Sequence, residues 1–377
     1  MKKILLSLCL CLCAGIASAV EPQSTTDKIV ISDLTVSPDG TEAYFTVSLQ
    51  GSRFYTSYNM DIHLPEGLEV AYKSGKPNVT MGTSKTRPSS FYPSTSQYDE
   101  DLEMDLYDYS HKLAFSYGVL GERWLRLACS CDVNSEFIAN SGDLFKVYVK
   151  ASPFMKPGEA HITVDGIALI VKENAVKYVP EETNKTITVG TTSKVAINVN
   201  AENQWGTCIL PFDAAIPEGV KAYECESTNG DNLVLTAASS LEAYTPYILY
   251  APTGYSATFS GEVDASKYVP VATKGLLSGA IVGQSISTGF VLQNQGDGAM
   301  FYDVNGDTFS VPEGKCWLGE TALLGKERYG FEQEASIIEC VSKSASHDAI
   351  YNIHGIAVEK MNSGNIYIIN NKKVLVK

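Results

Sequence analysis

The stretch of sequence that decides the fold is Phe54-Tyr55-Thr56-Ser57-Tyr58-Asn59-Met60-Asp61-Ile62-His63-Leu64. Apolar and polar residues alternate along it, with the two-residue period of a strand that is buried on one face only. The residues of one parity should point into a core: Phe54, Tyr58, Met60 and Ile62. Those of the other parity should face outward: Tyr55, Asn59, Asp61 and His63. Because an apolar sheet face must be covered by a second layer, the stretch predicts a β-sandwich.

The same strand pattern recurs along the chain. Residues 42–49 and 144–150 alternate in a similar way. Between strand patterns lie turn signals, of which Pro-Glu-Gly occurs at 65–67, 217–219 and 312–314. Proline and glycine at this spacing suit a tight turn, because proline presets one backbone angle and glycine closes the turn. No convincing amphipathic helix is found, and we therefore predict an all-β protein.

Composition narrows the class of protein. The chain has 377 residues, of which 44% are hydrophobic and 19% are charged, and its net charge is −14. This hydrophobic content is enough for a core and argues against disorder as the dominant state. An acidic chain is a poor partner for the phosphate backbone, since nucleic-acid binding needs clustered basic residues. We predict no nucleic-acid partner.

The N-terminus has the pattern of a secretory signal peptide. Lys2 and Lys3 precede the apolar run 4–16, and Ala17-Ser18-Ala19 offers small residues for cleavage after Ala19. The alternative is a membrane anchor, but the run is shorter than the roughly twenty residues that a span requires. We predict an exported protein, located outside the cell or on its outer surface. No integral membrane segment should remain after cleavage.

A break in the apolar pattern at 181–186 suggests two main domains. In the second domain, Gly296-Asp297-Gly298 should form the turn of one hairpin and Asn305-Gly306 the tip of the next. The predicted segments are the signal peptide 1–19, a first β-sandwich 27–187, a second β domain 190–325, a linker 326–349 and a C-terminal β tail 350–377.

The six cysteines beyond the signal segment are too sparse for a disulfide scaffold. Cys129 and Cys131 are two apart in one predicted strand and are badly placed to bond each other. Two interpretations stay open for the others: a Cys208–Cys225 bridge, or buried free thiols. No Cys/His group has the spacing of a zinc site.

Residues 28 to about 175 resemble cohesin modules, which are jelly-roll β-sandwiches related to carbohydrate-binding modules. The resemblance lies in the run 58–70, with its proline turn before Leu-Glu-Val, and in Gly142-Asp143-Leu144-Phe145-Lys146-Val147 far downstream. In cellulosomal cohesins an Asn and an Asp, two apart on the equivalent strand, contact dockerin. The resemblance implies that Asn59 and Asp61 are their counterparts.

Two further segments resemble parts of secreted proteins of Gram-negative anaerobes. Residues 190 to 320 are similar to a β domain that recurs in such proteins, with matches at 205–212 and 311–318. The last residues, 350–377, resemble the ends of C-terminal tails in the same kind of exported protein. These resemblances imply a surface or extracellular location and no particular activity.

The stretch 99–108 is unusually acidic. If it forms one strand, four carboxylates share a face: Asp99, Asp101, Glu103 and Asp105. Such a face could bind calcium, which prefers oxygen ligands, or it could be a solvated edge that discourages aggregation. The sequence indicates no cofactor other than this calcium ion.

The sequence predicts a binding protein rather than an enzyme. It contains no His-Glu-x-x-His pair and no Gly-x-Ser-x-Gly nucleophile elbow. The candidate ligand-binding residues are Tyr55, Asn59, Asp61 and His63, and the expected ligand is a protein partner or a polysaccharide. The alternatives are a structural envelope or adhesin component, and an extracellular hydrolase that uses two of the many carboxylates.

Overall fold

In the computed structural model, the described chain consists of β-strands, loops and two short 3₁₀ turns, Glu173–Ala175 and Ala265–Lys267. The predicted all-β fold class is confirmed. The described residues are 21–81, 97–99, 104–106, 111–131, 134–296, 298–319, 325–331, 339–340, 350–352, 357–358, 363, 366–369 and 372–375. The predicted signal peptide lies outside them. Within these ranges, no helix is long and apolar enough to cross a bilayer.

The first part of the chain forms strands that lie between residues 23 and 189. They are β1 (Gln23–Ser24), β2 (Lys28–Ile31), β3 (Thr35–Val36), β4 (Glu42–Gln50), β5 (Ser57–His63), β6 (Leu68–Val70), β7 (Tyr72–Lys73), β8 (Lys76–Pro77), β9 (Val79–Met81), β10 (Gln97–Asp99), β11 (Met104–Leu106), β12 (Lys112–Tyr117), β13 (Trp124–Ser130), β14 (Ser141–Ala151), β15 (Gly158–Ile170), β16 (Lys177–Val179) and β17 (Thr183–Val189).

Two sheets built from these strands enclose the first core. One has the order β1-β16-β15-β5-β13-β12, with β17 and β3 continuing beside β15, and the other has the order β2-β4-β14-β6, with β9 also beside β14. Tyr58, Met60 and Ile62 of β5 are buried as predicted. The ring of Tyr58 stacks on Phe145 of β14, with 5.9 Å between the centroids. Burying side chains of this size stabilises the fold by about 1.5–3 kcal/mol each.

The alternation predicted for 54–64 does not extend to its first residues. Tyr55, predicted to face outward, is fully buried, and Phe54, predicted to face inward, is exposed. The physical reason is that β5 begins only at Ser57, so strand parity does not govern the residues before it. The hydroxyl of Tyr55 donates a 2.5 Å hydrogen bond to Oδ2 of Asp27. Tyr55 therefore supports the core and is not part of a ligand-binding face.

Asp27 is a buried carboxylate that this arrangement keeps charged. Ser52 donates to its Oδ1 through both the backbone N–H, at 2.9 Å, and Oγ, at 2.8 Å. Burial by itself would raise the pKa of Asp27, but the hydrogen bonds from Tyr55 and Ser52 outweigh it and leave that pKa below its usual value. The charged form is therefore the one that the folded state favours.

We predict that Asp27→Asn lowers the free energy of unfolding at pH 7 by about 1–2 kcal/mol, because a charged hydrogen-bond acceptor is lost. A carboxyl whose pKa is lower in the folded chain stabilises the fold above its unfolded pKa of about 3.9, and this contribution is lost as the pH falls through the folded pKa. The variant should thus lose less stability than the wild type between pH 7 and pH 3, as measured by urea denaturation.

Asp33→Asn is the matched control, since Asp33 pairs with Lys185 while its own side chain is fully exposed. Removal of this surface pair should leave stability nearly unchanged at either pH, because solvent screens an exposed ion pair. Equal losses for the two variants at pH 7 would contradict the role given to Asp27.

The second part of the chain forms strands between residues 192 and 331. They are β18 (Thr192–Val199), β19 (Trp205–Cys208), β20 (Lys221–Asn229), β21 (Asn232–Ala237), β22 (Tyr247–Tyr250), β23 (Tyr255–Glu262), β24 (Val271–Lys274), β25 (Leu277–Ala280), β26 (Gln284–Ile286), β27 (Phe290–Asn294), β28 (Ala299–Asp303), β29 (Phe309–Val311), β30 (Cys316–Leu318) and β31 (Arg328–Phe331). Ten of them form a sheet of order β19-β22-β20-β21-β31-β28-β27-β30-β25-β24, and two pairs, β18-β23 and β26-β29, lie outside it.

The structure changes two details predicted for this part. β27 and β28 form the predicted hairpin, but the turn at Asn305-Gly306 does not join paired strands. β29 pairs with β26 instead, because β31 already occupies the free edge of β28. Residues 328–331, assigned above to the linker, are this strand β31. The ten-stranded sheet therefore extends beyond the predicted boundary at 325.

The C-terminal strands form a separate small sheet. They are β32 (Glu339–Cys340), β33 (Ile350–Asn352), β34 (Ala357–Val358), β35 (Ile366–Ile369) and β36 (Lys372–Leu375), in the order β32-β36-β35-β33-β34. β32 comes from the segment predicted to be a linker, and it runs parallel to β36.

The structure decides between the two interpretations of the cysteines. Cys208, Cys225 and Cys316 are buried free thiols, so the Cys208–Cys225 bridge is wrong. Cys129 and Cys131 are buried as well. Cys208 lies at the end of β19, whereas Cys225 lies in β20, and β22 separates these two strands in the sheet. Burial raises the pKa of the Cys208 thiol to about 12 and that of Cys225 to about 11.

We predict that native protein resists alkylation at Cys208, Cys225 and Cys316, because each thiol is buried and protonated. Unfolding in denaturant without a reductant should make all three react, which mass spectrometry of the peptides would show. A Cys208–Cys225 pair that reacts only after reduction would contradict the structure.

Candidate functional site

The outer face of the first large sheet brings together polar and aromatic side chains from three neighbouring strands. β5 lies between β13 and β15. Its Asp61 is paired in register with Arg126 on one side and with Asp165 on the other. Its His63 is paired with Trp124 on the first of these strands. Side chains of paired residues lie on one face, so these five form a continuous surface.

The centre of this surface is an ion pair between Asp61 and Arg126. Nε and Nη2 of Arg126 donate to Oδ1 and Oδ2 of Asp61 at 2.7 Å and 2.6 Å. The Asp61 side chain is 10% exposed and that of Arg126 is 53% exposed. The hydrogen bonds to Asp61 raise the pKa of the Arg126 guanidinium. A bidentate pair of this kind fixes both side chains and leaves one edge of the guanidinium open to a partner.

An aromatic pair lies beside the ion pair. The rings of His63 and Trp124 meet edge to face, with 3.9 Å between their centroids. Nε2 of His63 lies 3.0 Å from Oδ1 of Asp165, although the ring is not aligned for a hydrogen bond with it. The indole is therefore positioned by contacts within the surface.

A β-bulge in β15 shapes the other side of the surface. The register with β5 shifts between Asp165 and Ala168, and Gly166 has a φ of +58°. Nδ2 of Asn59 donates a 3.0 Å hydrogen bond to the Gly166 carbonyl. A Cβ at Gly166 would approach Oδ2 of Asp61 to 3.3 Å. The bulge thus holds Asn59 in place and keeps room for the Asp61 carboxylate.

The loop that joins β12 to β13, and so leads into Trp124, carries exposed apolar side chains. Val119 is 76% exposed, Leu120 is 44% exposed and Trp124 is 36% exposed. Apolar groups that adjoin charged ones on a rigid sheet are typical of interaction sites. We call the whole region the Trp124 surface; it comprises Asn59, Asp61, His63, Val119, Leu120, Trp124, Arg126 and Asp165.

The sequence placed three of these residues on one face, and the structure does so as well. Asn59 is exposed, Asp61 is mostly buried by its ion pair and His63 is half-buried. The sequence analysis did not identify Trp124 and Arg126 as candidate site residues, although the alternating run 124–130 has the pattern of another half-buried strand. Asp165 gave no such signal, because only the bulge sets its place beside Asp61.

The acidic stretch does not form the single strand on which the calcium hypothesis depended. The chain reverses between β10 and β11, with Asp99 paired in register with Met104 and Tyr98 paired with Asp105. Asp101 and Glu103 lie outside the described residues. Within the part of the chain that the structure describes, no three His, Cys, Asp or Glu side chains are grouped as metal ligands. The calcium site has no support from the arrangement of these strands.

Comparisons with known proteins find similarity only among solved structures. The matching structures include cohesin modules. A non-cellulosomal cohesin of Archaeoglobus fulgidus is 14% identical and covers 44% of this chain and 91% of its own, with a TM-score of 0.30. A type I cohesin–dockerin complex of Clostridium thermocellum is 15% identical and covers 44% of this chain and 99% of its own, with a TM-score of 0.31. CaCohA2 of Clostridium acetobutylicum is 17% identical and covers 45% of this chain and 93% of its own, with a TM-score of 0.30.

No protein-family model matches the chain, and no curated protein sequence matches it. At these identities and TM-scores, the likeness to the cohesin modules transfers no ligand and no residue role.

The chemistry of the Trp124 surface suits binding better than catalysis. Both carboxylate oxygens of Asp61 accept hydrogen bonds from Arg126, so Asp61 is held as the fixed partner of an ion pair. What the surface presents outward is an indole edge, two aliphatic side chains and a guanidinium. Aromatic residues and arginine are the types most enriched at the centres of protein interfaces.

We predict that Arg126→Met lowers the free energy of unfolding by about 1–3 kcal/mol, because it leaves the shielded Asp61 carboxylate without its donors. Arg123→Met is the matched control. Arg123 contacts Glu122, whose side chain is 90% exposed, and losing this pair should cost less than about 1 kcal/mol. Chemical denaturation at pH 7 would compare the two, and equal effects would contradict a structural role for the Asp61–Arg126 pair.

Proposed function

We propose that this chain is a non-catalytic binding protein whose Trp124 surface recognises a protein partner. The observation that carries the proposal is the exposed apolar group of Val119, Leu120 and Trp124 beside the Asp61–Arg126 ion pair. Association would bury the apolar group and leave a charged rim, which is the usual anatomy of a specific protein interface. The proposal includes the exported, surface-accessible location that residues 1–19 predict.

Rigidity supports the proposal as well. Trp124 contacts His63, and Arg126 is held by two hydrogen bonds, so binding would immobilise few rotamers that are not already fixed. Affinity depends strongly on this preorganisation, because ordering each flexible side chain costs about 0.5–1.5 kcal/mol. A preformed aromatic and arginine pair therefore makes an efficient anchor.

The other functions raised by the sequence predict different behaviour. A polysaccharide ligand would use the exposed edge of Trp124 but would gain little from the aliphatic Val119 and Leu120. An envelope or adhesin component would self-associate through this surface. A hydrolase would need two unengaged carboxylates that face each other, whereas Asp61 is fully engaged by Arg126.

The test is a binding experiment with the exported chain and two variants. Wild-type protein is immobilised, proteins captured from the culture medium and cell envelope are identified by mass spectrometry, and the dissociation constant of each purified candidate is measured. We expect the double variant Leu120→Ser and Trp124→Ala to lose at least about tenfold in affinity, the loss typical of a central aromatic anchor. Tyr44→Ala is the control, because Tyr44 is 49% exposed on the opposite sheet.

The same preparations separate the alternatives. Sedimentation analysis that shows concentration-dependent self-association, abolished by the double variant, would replace the proposal with the adhesin interpretation. Binding to a polysaccharide array by the wild type that the double variant loses, with no protein partner found, would favour a glycan. A protein partner that binds the double variant and the wild type equally well would contradict the proposal.

A further inference from the structure

The second part of the chain contains a cavity that is separate from the Trp124 surface. Its volume is about 310 Å³, and it is lined by β18, the connecting residues Asn200 and Asn203, β19, β27, the start of β28 and the segment 309–316. This volume is at the lower end of the range for small-molecule sites, about 300–1,000 Å³, and it suits roughly one or two sugar rings. The lining combines amide side chains, one lysine and an apolar wall.

The amide side chains of this cavity offer donors. Oδ1 of Asn200 accepts from the backbone N–H of Glu202 at 2.7 Å, and Oδ1 of Asn203 accepts from Nδ2 of Asn294 at 2.8 Å. In Gln293 the Oε1 accepts in the same way, from Gln295 Nε2 at 3.1 Å. An amide group has one oxygen acceptor and two N–H donors. Each oxygen has one of its two acceptor positions engaged by a neighbour, and each NH₂ of Asn200, Asn203 and Gln293 brings two N–H donors to the lining.

The charge of the lining is positive in a chain whose net charge is −14. Lys315 is the one ionisable lysine, arginine, aspartate or glutamate in the lining, and it is half-buried. Glu313, two residues earlier, accepts a 2.7 Å hydrogen bond from Ser152 Oγ. Within the described part of the chain, no carboxylate lies within ion-pair distance of Lys315 Nζ. A half-buried ammonium among amide donors favours an anion.

The remaining lining is mainly apolar, with Thr207 and Asn198 as its other polar residues. Val291 and Val311 are buried, and Phe309 is half-buried. Trp205 stacks on Phe331 with 3.8 Å between the centroids and an interplanar angle of 11°. Such apolar groups can pack against the C–H face of a pyranose ring, while the amide and lysine side chains of the lining supply donors for its oxygens. A ligand that satisfies both kinds of group is rich in acceptors, carries a negative charge and has one apolar face.

We propose that this cavity binds an acidic saccharide, with the sugar carboxylate at Lys315, ring oxygens at the amide groups of Asn200, Asn203 and Gln293, and the C–H face on the apolar wall. This site is independent of the proposed partner surface. It would give the protein a second specificity, for uronate-containing polymers outside the cell.

The test uses the whole exported chain with sodium galacturonate, digalacturonate, galactose and sodium acetate as probes in calorimetric or NMR titrations. We expect digalacturonate to bind with a dissociation constant of about 1 mM or tighter, and galactose and acetate to bind at least about tenfold more weakly. Lys315→Gln should weaken digalacturonate binding about tenfold or more, and Asn200→Ala should weaken it to a smaller extent.

Lys267→Gln is the matched control, because it removes the same charge from an exposed 3₁₀ turn outside the lining, and it should leave binding unchanged. Circular dichroism and thermal melting check that every variant is folded, and Lys315→Arg should retain binding if Lys315→Gln fails to fold. The double variant at Leu120 and Trp124 should bind digalacturonate normally, so this proposal and the partner proposal can fail separately.

Three results would overturn the proposal of a saccharide site. They are no binding of either galacturonate at about 10 mM, acetate binding as tightly as digalacturonate, and an unchanged affinity of Lys315→Gln for digalacturonate.

Discussion

The structure depends on burying one face of each long strand against a second sheet. In the described chain no helix is available to cover an apolar sheet face, so the two sheets of the first part must cover each other. Tyr58, Met60 and Ile62 therefore point inward, against strands that carry Phe145 and its neighbours. Because successive strand residues alternate between faces, this burial also fixes Asn59, Asp61 and His63 on the opposite side. One constraint thus makes both the core and the platform for the candidate site.

A platform made in this way is rigid, and its polar groups still need partners. Asp61 is almost covered by its neighbours, and its charge is tolerated because Arg126 supplies two donors. The bulge at Gly166 and the contact of His63 with Trp124 complete the arrangement. Binding energy can then come from the exposed apolar groups of the adjoining loop, without the cost of ordering the residues beneath them.

The second part of the chain solves the same packing problem in another way and leaves a different site. Ten strands of one sheet leave two further strand pairs outside it, and the cavity lies where one strand of each pair meets that sheet. The cavity differs from the Trp124 surface in chemistry, since it is concave and rich in N–H donors, whereas the surface is exposed and centred on an ion pair. The two sites would therefore recognise different classes of ligand.

Periodicity alone determined the all-β class, the inward residues of β5 and the shared face of Asn59, Asp61 and His63, because strand geometry is a local property of the chain. It failed at Tyr55 and Phe54, where the strand had not yet begun, and at Asn305-Gly306, where a distant strand took the edge that a hairpin would need. The pairing of Asp61 with Arg126, the place of Asp165, the free thiols of Cys208 and Cys225 and the cavity around Lys315 were decided only by tertiary structure. Each of them depends on which strands become neighbours in space, and residues far apart in sequence settle that choice by packing together.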